Sequence, residues 1–230
     1  MARHRQAPAR VCVAGGTGLV GRAVLQRLAA DPRIGSVTAL VRRADAGLPP
    51  GCTAQVVDFA TLGRPGGATL PPTDWAICCL GTTLGVAGSQ AAFRAVDHDA
   101  VLAFARAAQA AGASRLGVVS ALGADAASKV FYNRVKGEAE QALAALGLRH
   151  LVIVRPSLLL GERSALGQPG RPGERLAQSL MPAFGRLIPR RWRPIAADAV
   201  AAALLAALPA AQRGTTVLES DALQALAAER

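Results

Sequence analysis

The chain has 230 residues, 51% of them hydrophobic but only 3% aromatic, which suits one domain whose interior is built from alanine, valine and leucine. A formal net charge of +11 ordinarily points to nucleic acid or an anionic membrane, yet lysine occurs only at Lys129 and Lys136. The arginines are scattered apart from Arg186, Arg190, Arg191 and Arg193, and few rings are available to stack on bases, so nucleic-acid binding is set aside as the main task.

Residues 1–10 are basic and contain proline, and are expected to be a disordered tail that leaves no room for a signal peptide or a removable transit sequence. Residues 11–230 are expected to form one domain. An apolar run from Val11 to Ala14 empties into a glycine-rich turn in which Gly15, Gly18 and Gly21 fall three apart, and the next segment is apolar at helical spacing. Strand, tight turn and helix are the context that gives a glycine fingerprint its meaning. Gly15 lets the chain turn sharply, Gly18 lets backbone approach a pyrophosphate, and Gly21 allows close packing of helix on strand. The helix N-terminus then offers free N–H groups to the phosphates.

Strands are expected at 36–41, 54–57 and 75–80, followed by a helix over 89–111, a strand at 116–120, a helix near 129–146 and a strand at 151–154. Proline-rich segments at 49–51 and 65–72 read as loops in place of crossover helices. Such alternation predicts a Rossmann-type, doubly wound α/β fold with a parallel sheet covered on both faces. The second strand ends in Arg42 and Arg43, where a dinucleotide fold that prefers NAD carries a carboxylate. Guanidinium groups there favour a 2′-phosphate, hence NADP(H) over NAD(H).

From about residue 157 the pattern changes to a small C-terminal lobe on the substrate side. A loop is expected at 161–173, short helices near 173–184 and 196–208, a strand at 215–218, and a last helix capped by Ser220. The longest apolar stretches, 151–160 and 199–208, are too short to span a bilayer. Cys12, Cys52, Cys78 and Cys79 show no CxxC pair and no metal-ligand spacing with the histidines, and Asp97, His98 and Asp99 face different ways on a helix. No metal is expected, and a reducing cytoplasm is.

Tyr132 and Lys136 lie four apart on a predicted helix and so share a face. A free phenol ionises near pH ~10 and is a poor acid–base group at neutral pH, whereas a neighbouring ammonium favours the phenolate. Such a tyrosine can exchange a proton with a substrate oxygen while hydride moves to or from a nicotinamide. It is the only tyrosine, and Lys136 is one of two lysines where arginine is the general choice. Ser120, at the carboxyl end of the preceding strand, is expected to hold the substrate oxygen.

Gly15, Gly18, Gly21, Ser120 and Tyr132-Asn-Arg-Val-Lys136-Gly-Glu together resemble the short-chain dehydrogenase/reductase superfamily. Cys79-Leu-Gly-Thr-Thr83, Phe93-Arg-Ala-Val-Asp97, Val119-Ser-Ala-Leu-Gly-Ala124, Arg155-Pro-Ser157 and Arg171-Pro-Gly-Glu174 resemble its atypical, epimerase-like branch related to the Tat-interactive protein. The resemblance implies that Lys136 touches the nicotinamide ribose and tunes Tyr132. It implies backbone contacts from Thr17, Leu19 and Val20 to phosphate, Asp58 and Phe59 beside the adenine, and Leu80, Gly81 and Thr82 beneath the middle of the cofactor. Pro156 and Ser157 would flank the nicotinamide. Asp97 stands where the wider superfamily has an asparagine, which changes the local charge.

The expected function is an NADP-dependent oxidoreductase acting on a small carbonyl or alcohol through Ser120, Tyr132 and Lys136. Two alternatives remain open at this point: an NADP-binding regulatory protein without turnover, and an NAD(P)-dependent epimerase or dehydratase. Substrate and oligomeric state are not encoded in these patterns.

Overall fold

The computed structural model describes residues 7–44, 46–160 and 189–229. Nine strands and seven helices are named here from those residues. The first strand, β1 (Ala9–Ala14), leads through the glycine turn to α1 (Leu19–Ala29) and β2 (Ile34–Val41). Then come β3 (Cys52–Val56), β4 (Trp75–Cys78), α2 (Leu84–Ala87), α3 (Gln90–Arg94), a π-helical turn (Ala95–Ala100) and α4 (Val101–Ala110). The second half holds β5 (Arg115–Val119), α5 (Phe131–Ala144), β6 (His150–Arg155), β7 (Leu159–Leu160), β8 (Ile195–Ala196), α6 (Ala197–Ala210), β9 (Gly214–Glu219) and α7 (Ser220–Ala228).

Seven strands form one parallel sheet in the order β3-β2-β1-β4-β5-β6-β9. The chain starts in the middle, winds outward through β2 and β3, then crosses back to β4, which places a topological switch point between β1 and β4. The sheet is apolar on both faces, and the alternation of each strand divides its side chains between two cores. Val11 and Val13 pack with Val24, Leu25 and Leu28 of α1 and with Leu204 and Leu208 of α6. Cys12 and Ala14 point the other way, into a core shared with Phe104 of α4 and Leu143 of α5. β6 repeats the division, with Val152 and Val154 on the first side and Leu151 and Ile153 on the second.

Several expectations shift. The sheet begins at Ala9, so residues 9 and 10 do not belong to a disordered tail: the Arg10 N–H donates to Asp74 Oδ2 at 2.9 Å and its guanidinium donates to both carboxylate oxygens of Asp74. The fourth strand stops at Cys78, because the chain then turns around the glycine loop. The helix expected over 89–111 is three pieces: Ser89 accepts from the Ala92 N–H as the N-cap of α3, and a π-helical turn separates α3 from α4. Ser220 is the first helical residue of α7, not its cap, and its hydroxyl turns inward to Ser157 Oγ at 3.1 Å. The loop expected at 161–173, the helix near 173–184, Arg171, Glu174 and Arg186 lie outside the described residues.

Candidate functional site

The carboxyl ends of β1, β4, β5 and β6 meet at one edge of the sheet, and the sequence there supplies two differently built walls. The first is made of backbone. Gly15 has φ +80°, and a Cβ on it would lie 2.4 Å from the Cys79 carbonyl carbon, so the turn closes against the end of β4 only without a side chain. A Cβ on Gly21 would lie 2.1 Å from Gly15 O, so α1 sits directly on the turn. Gly18 is different: a Cβ there would meet protein only at Gly15 O, 3.5 Å away. Protein packing leaves room at Gly18, which fits close approach by a ligand. Gly18 is also the N-cap of α1, with no side-chain cap and no acidic residue in the first turn. The first intrahelical bond runs from Arg22 N–H to Gly18 O at 2.9 Å, so the N–H groups of Leu19, Val20 and Gly21 precede the ladder. The donors, the dipole and the open space suit the pyrophosphate of a dinucleotide.

Arg42 and Arg43 follow directly on β2, where Leu40 pairs with Ala14, so both are brought to the same edge, and both are exposed. Asp58 and Phe59 lie just past β3. Asp58 is exposed and its Oδ1 accepts from the Ala60 N–H at 2.9 Å, while Phe59 packs partly into the core. Thr17 is exposed on the turn.

The second wall is made of charge. Phe131, Tyr132 and Lys136 stand on α5; the Tyr132 and Phe131 rings both contact Phe93 of α3, with centroids 5.4 and 5.8 Å away. Lys136 is buried, and its Nζ stands 2.8 Å from Asp97 Oδ1 in an ion pair whose side chains are 7% and 0% exposed. Oδ1 makes no aligned hydrogen bond, so its compensation is the ammonium charge itself. The other oxygen, Oδ2, accepts from the Thr82 N–H at 2.8 Å. Gly81 lies against the pair: a Cβ on it would be 3.4 Å from Asp97 Oδ1 and 3.7 Å from Lys136 Nζ. Burial alone would depress Lys136, but Asp97 and then Tyr132 act in the opposite direction and leave it raised, so the ammonium stays charged. Leu80, just before Gly81, packs partly into the core.

Ser120 has a protein partner of its own. It is buried, and its hydroxyl donates to Glu140 Oε1 on α5. Glu140 is held in turn by Arg155, whose Nη2 donates to Oε2 at 2.5 Å and whose Nε donates to Oε1 at 3.1 Å. Arg155 Nη1 reaches Glu219 Oε1 at 3.0 Å, and Arg191 stands 3.5 Å from Glu219 Oε2. A hydroxyl has one proton to give, and here a carboxylate receives it. Glu140, Arg155 and Glu219 were not singled out by sequence reasoning as a unit, because nothing local links positions on α5, β6 and β9. Pro156 and Ser157 follow β6: Pro156 O accepts from the Leu122 N–H at 3.0 Å, and Ser157 donates to Arg193 O.

His98 pairs with Asp99 at 2.7 Å, away from Asp97, and no group of three metal-ligating side chains occurs among the described residues. The four cysteines are free; burial pushes the Cys12 and Cys78 thiols up to about 12, and that of Cys79 is raised as well, so none is a ready thiolate.

A parallel sheet in this order, with a glycine turn at the switch point, defines a nucleotide-binding protein of the Rossmann type. The comparisons agree. Residues 15–211 match the NAD(P)H-binding family, and the chain belongs to that family as an atypical short-chain dehydrogenase/reductase-like member. It is 34% identical over 184 residues to the mitochondrial protein fmp52 of Emericella nidulans, covering 78% of this chain and 77% of that one. It is 35% identical to protein HTATIP2 of Rattus norvegicus, over 79% of this chain and 72% of the other. Among solved structures it resembles MoeE5 in complex with UDP-glucose and NAD, with a TM-score of 0.67 at 18% identity, covering 96% of this chain and 81% of that one. It also resembles UDP-N-acetylglucosamine 4-epimerase from Bacillus cereus, with a TM-score of 0.63 at 17% identity over 92% and 78% of the two chains. At that identity these two likenesses speak for the fold.

One expectation is overturned here. Fungal relatives are named mitochondrial proteins, which contradicts the cytoplasmic location expected from the sequence. The free cysteines behind that expectation fit any reducing compartment equally well. No helix among the described residues is long and apolar enough to cross a membrane.

Proposed function

We propose that this protein is an NADP(H)-dependent oxidoreductase acting on a carbonyl compound or its alcohol. The observation that carries the reading is Lys136, a charged ammonium buried against Gly81 and one helical turn from Tyr132, at the sheet edge that also holds the glycine turn. Bound NADPH supplies hydride. The first turn of α1 receives the pyrophosphate, and Arg42 and Arg43 receive the 2′-phosphate. Lys136 anchors the ribose side of the site and keeps positive charge close to Tyr132, whose hydroxyl gives its proton to the substrate oxygen in reduction and takes one back in oxidation. Ser120, its own proton committed to Glu140, can only accept a hydrogen bond from a substrate hydroxyl, so the proton for a carbonyl comes from Tyr132.

The test is titration of the purified protein with NADPH and NADH, beside Arg42→Ala and Arg43→Ala, followed by a panel of carbonyl substrates with Tyr132→Phe. The reading expects NADPH to bind more tightly than NADH, about tenfold weaker NADPH binding on loss of either arginine, and little change for NADH. Tyr132→Phe is expected to lower turnover by about 10²–10⁴ with the fold intact. Equal affinity for both nucleotides in all three proteins would remove the NADP preference. Tight binding with no turnover on any carbonyl would favour a nucleotide-binding regulator.

A further inference from the structure

The reaction outlined above gives no task to Asp97, although its carboxylate is wholly buried and sits on a π-helical turn, a widened stretch that recurs where helices are bent to serve a site. It touches two elements at once. Through Oδ2 it holds the Thr82 backbone after β4, and through Oδ1 it meets the ammonium of Lys136 on α5. An ammonium beside a phenol favours phenolate, but a carboxylate 2.8 Å from that ammonium acts on the same phenol with the opposite sign.

We propose that Asp97 is a positioning residue that clamps Lys136 to the Gly81–Thr82 backbone and balances its charge, so that the acidity of Tyr132 is set by the Asp97–Lys136 pair as a unit. The inference rests on Tyr132 being the group that exchanges the proton. Lys136 is raised, not lowered, so the balance comes from pairing and not from loss of the lysine proton. Other ionisable groups on the elements packed around the pair are matched, neutral or exposed. Arg94 of α3 and Arg134 of α5 both meet Glu138 of α5, His98 pairs with Asp99 on the π turn, Glu140 of α5 pairs with Arg155 of β6, and Arg106 of α4 is exposed. The Cys78 thiol of β4 is held neutral by burial. Asp97 is therefore the one carboxylate among these that answers Lys136.

The test exploits a property of the chain: Tyr132 is its only tyrosine, so phenolate absorbance near the red edge of the protein band reports that one side chain. The full-length protein is titrated as wild type, Asp97→Asn, Lys136→Gln and the double variant, with circular dichroism at each pH to confirm folding. Asp97→Asn keeps an oxygen for the Thr82 N–H, removes the charge and turns an NH2 group toward Lys136. It is expected to lower the phenolate midpoint by about one pH unit or more. Lys136→Gln is expected to raise it, and the double variant to return close to wild type. A midpoint in Asp97→Asn that coincides with wild type overturns the proposal. If Asp97→Asn does not fold, the double variant must titrate below Lys136→Gln, and coincidence of those two overturns the proposal instead. None of these readings needs substrate or cofactor, so failure to bind NADPH counts against the proposed function and leaves this result standing on its own.

Discussion

The two walls of the cleft reach the same end by opposite means. On the β1–α1 side the site is made by leaving atoms out: Gly15 and Gly21 are forced by backbone within 2.1–2.5 Å of any added Cβ, and no charged side chain takes part. On the β5–β6 side it is made by putting charges in and neutralising them, through Asp97 with Lys136 and through Ser120, Glu140, Arg155 and Glu219. The first wall is intolerant of size. The second is intolerant of unmatched charge, although α5 also closes on backbone at Gly137, where a Cβ would lie 2.1 Å from Ala126 N.

That contrast can be broken at several points. The largest effect is expected at Gly21→Ala, where one methyl group meets Gly15 O and Gly16 Cα at 2.1 and 2.9 Å. It should cost about 4 kcal/mol, lower the melting temperature by about 10 °C and remove NADPH binding. Next comes Arg155→Met, similar in bulk but uncharged, which strands the buried Glu140. Denaturant titration should show a loss of about 3 kcal/mol, mostly recovered when Glu140→Leu is added. If the double variant is no more stable than the single, unmatched charge is not what governs this wall. Ser120→Ala should cost less, about 1–2 kcal/mol, since Glu140 keeps its arginine.

The smallest effect is expected at Arg27→Ala. Arg27 joins α1 to Asp198 of α6 with bonds of 2.8 and 2.7 Å, as well formed as those of Arg155, but its side chains are 41% and 65% exposed. Less than about 1 kcal/mol should be lost. The hydrogen bond from Arg27 holds the Asp198 carboxyl below its ordinary range. Whatever the pair contributes is thus present above about pH 4 and fades as the pH falls through the depressed value, which acid titration of wild type against Arg27→Ala would show. A loss as large as that at Arg155 would mean that burial does not separate the two classes of pair.

The contrast also explains what could be read from the sequence. The glycine wall is local: an apolar run, three glycines and an amphipathic helix are contiguous, and their spacing carries the geometry. The alternation of strands and helices was legible for the same reason. The charged wall is assembled from residues far apart in the chain. Tyr132 and Lys136 could be paired because they share one helix, but Glu140 and Ser120 are twenty positions apart and Arg155 and Glu219 sixty-four, with no shared period to join them. Asp97 was noticed as a departure from a family pattern, yet its partner and the π turn that presents it emerged only from packing. Arg10, assigned to a tail by its basic neighbours, is drawn into the sheet by Asp74, a residue no local rule connects to it.

One small feature governs how this scaffold can change. The two-residue strands β7 and β8 lie side by side and parallel, Leu159 against Ile195 and Leu160 against Ala196, so a segment just past β6 is fixed to the start of α6. Because that contact is made by backbone, it does not depend on the sequence inserted between the two strands, and a longer insert raises the closure cost only slowly. A protein engineer could therefore use residues 160 and 195 as graft points, changing the sequence between them while the nucleotide half keeps its own sheet.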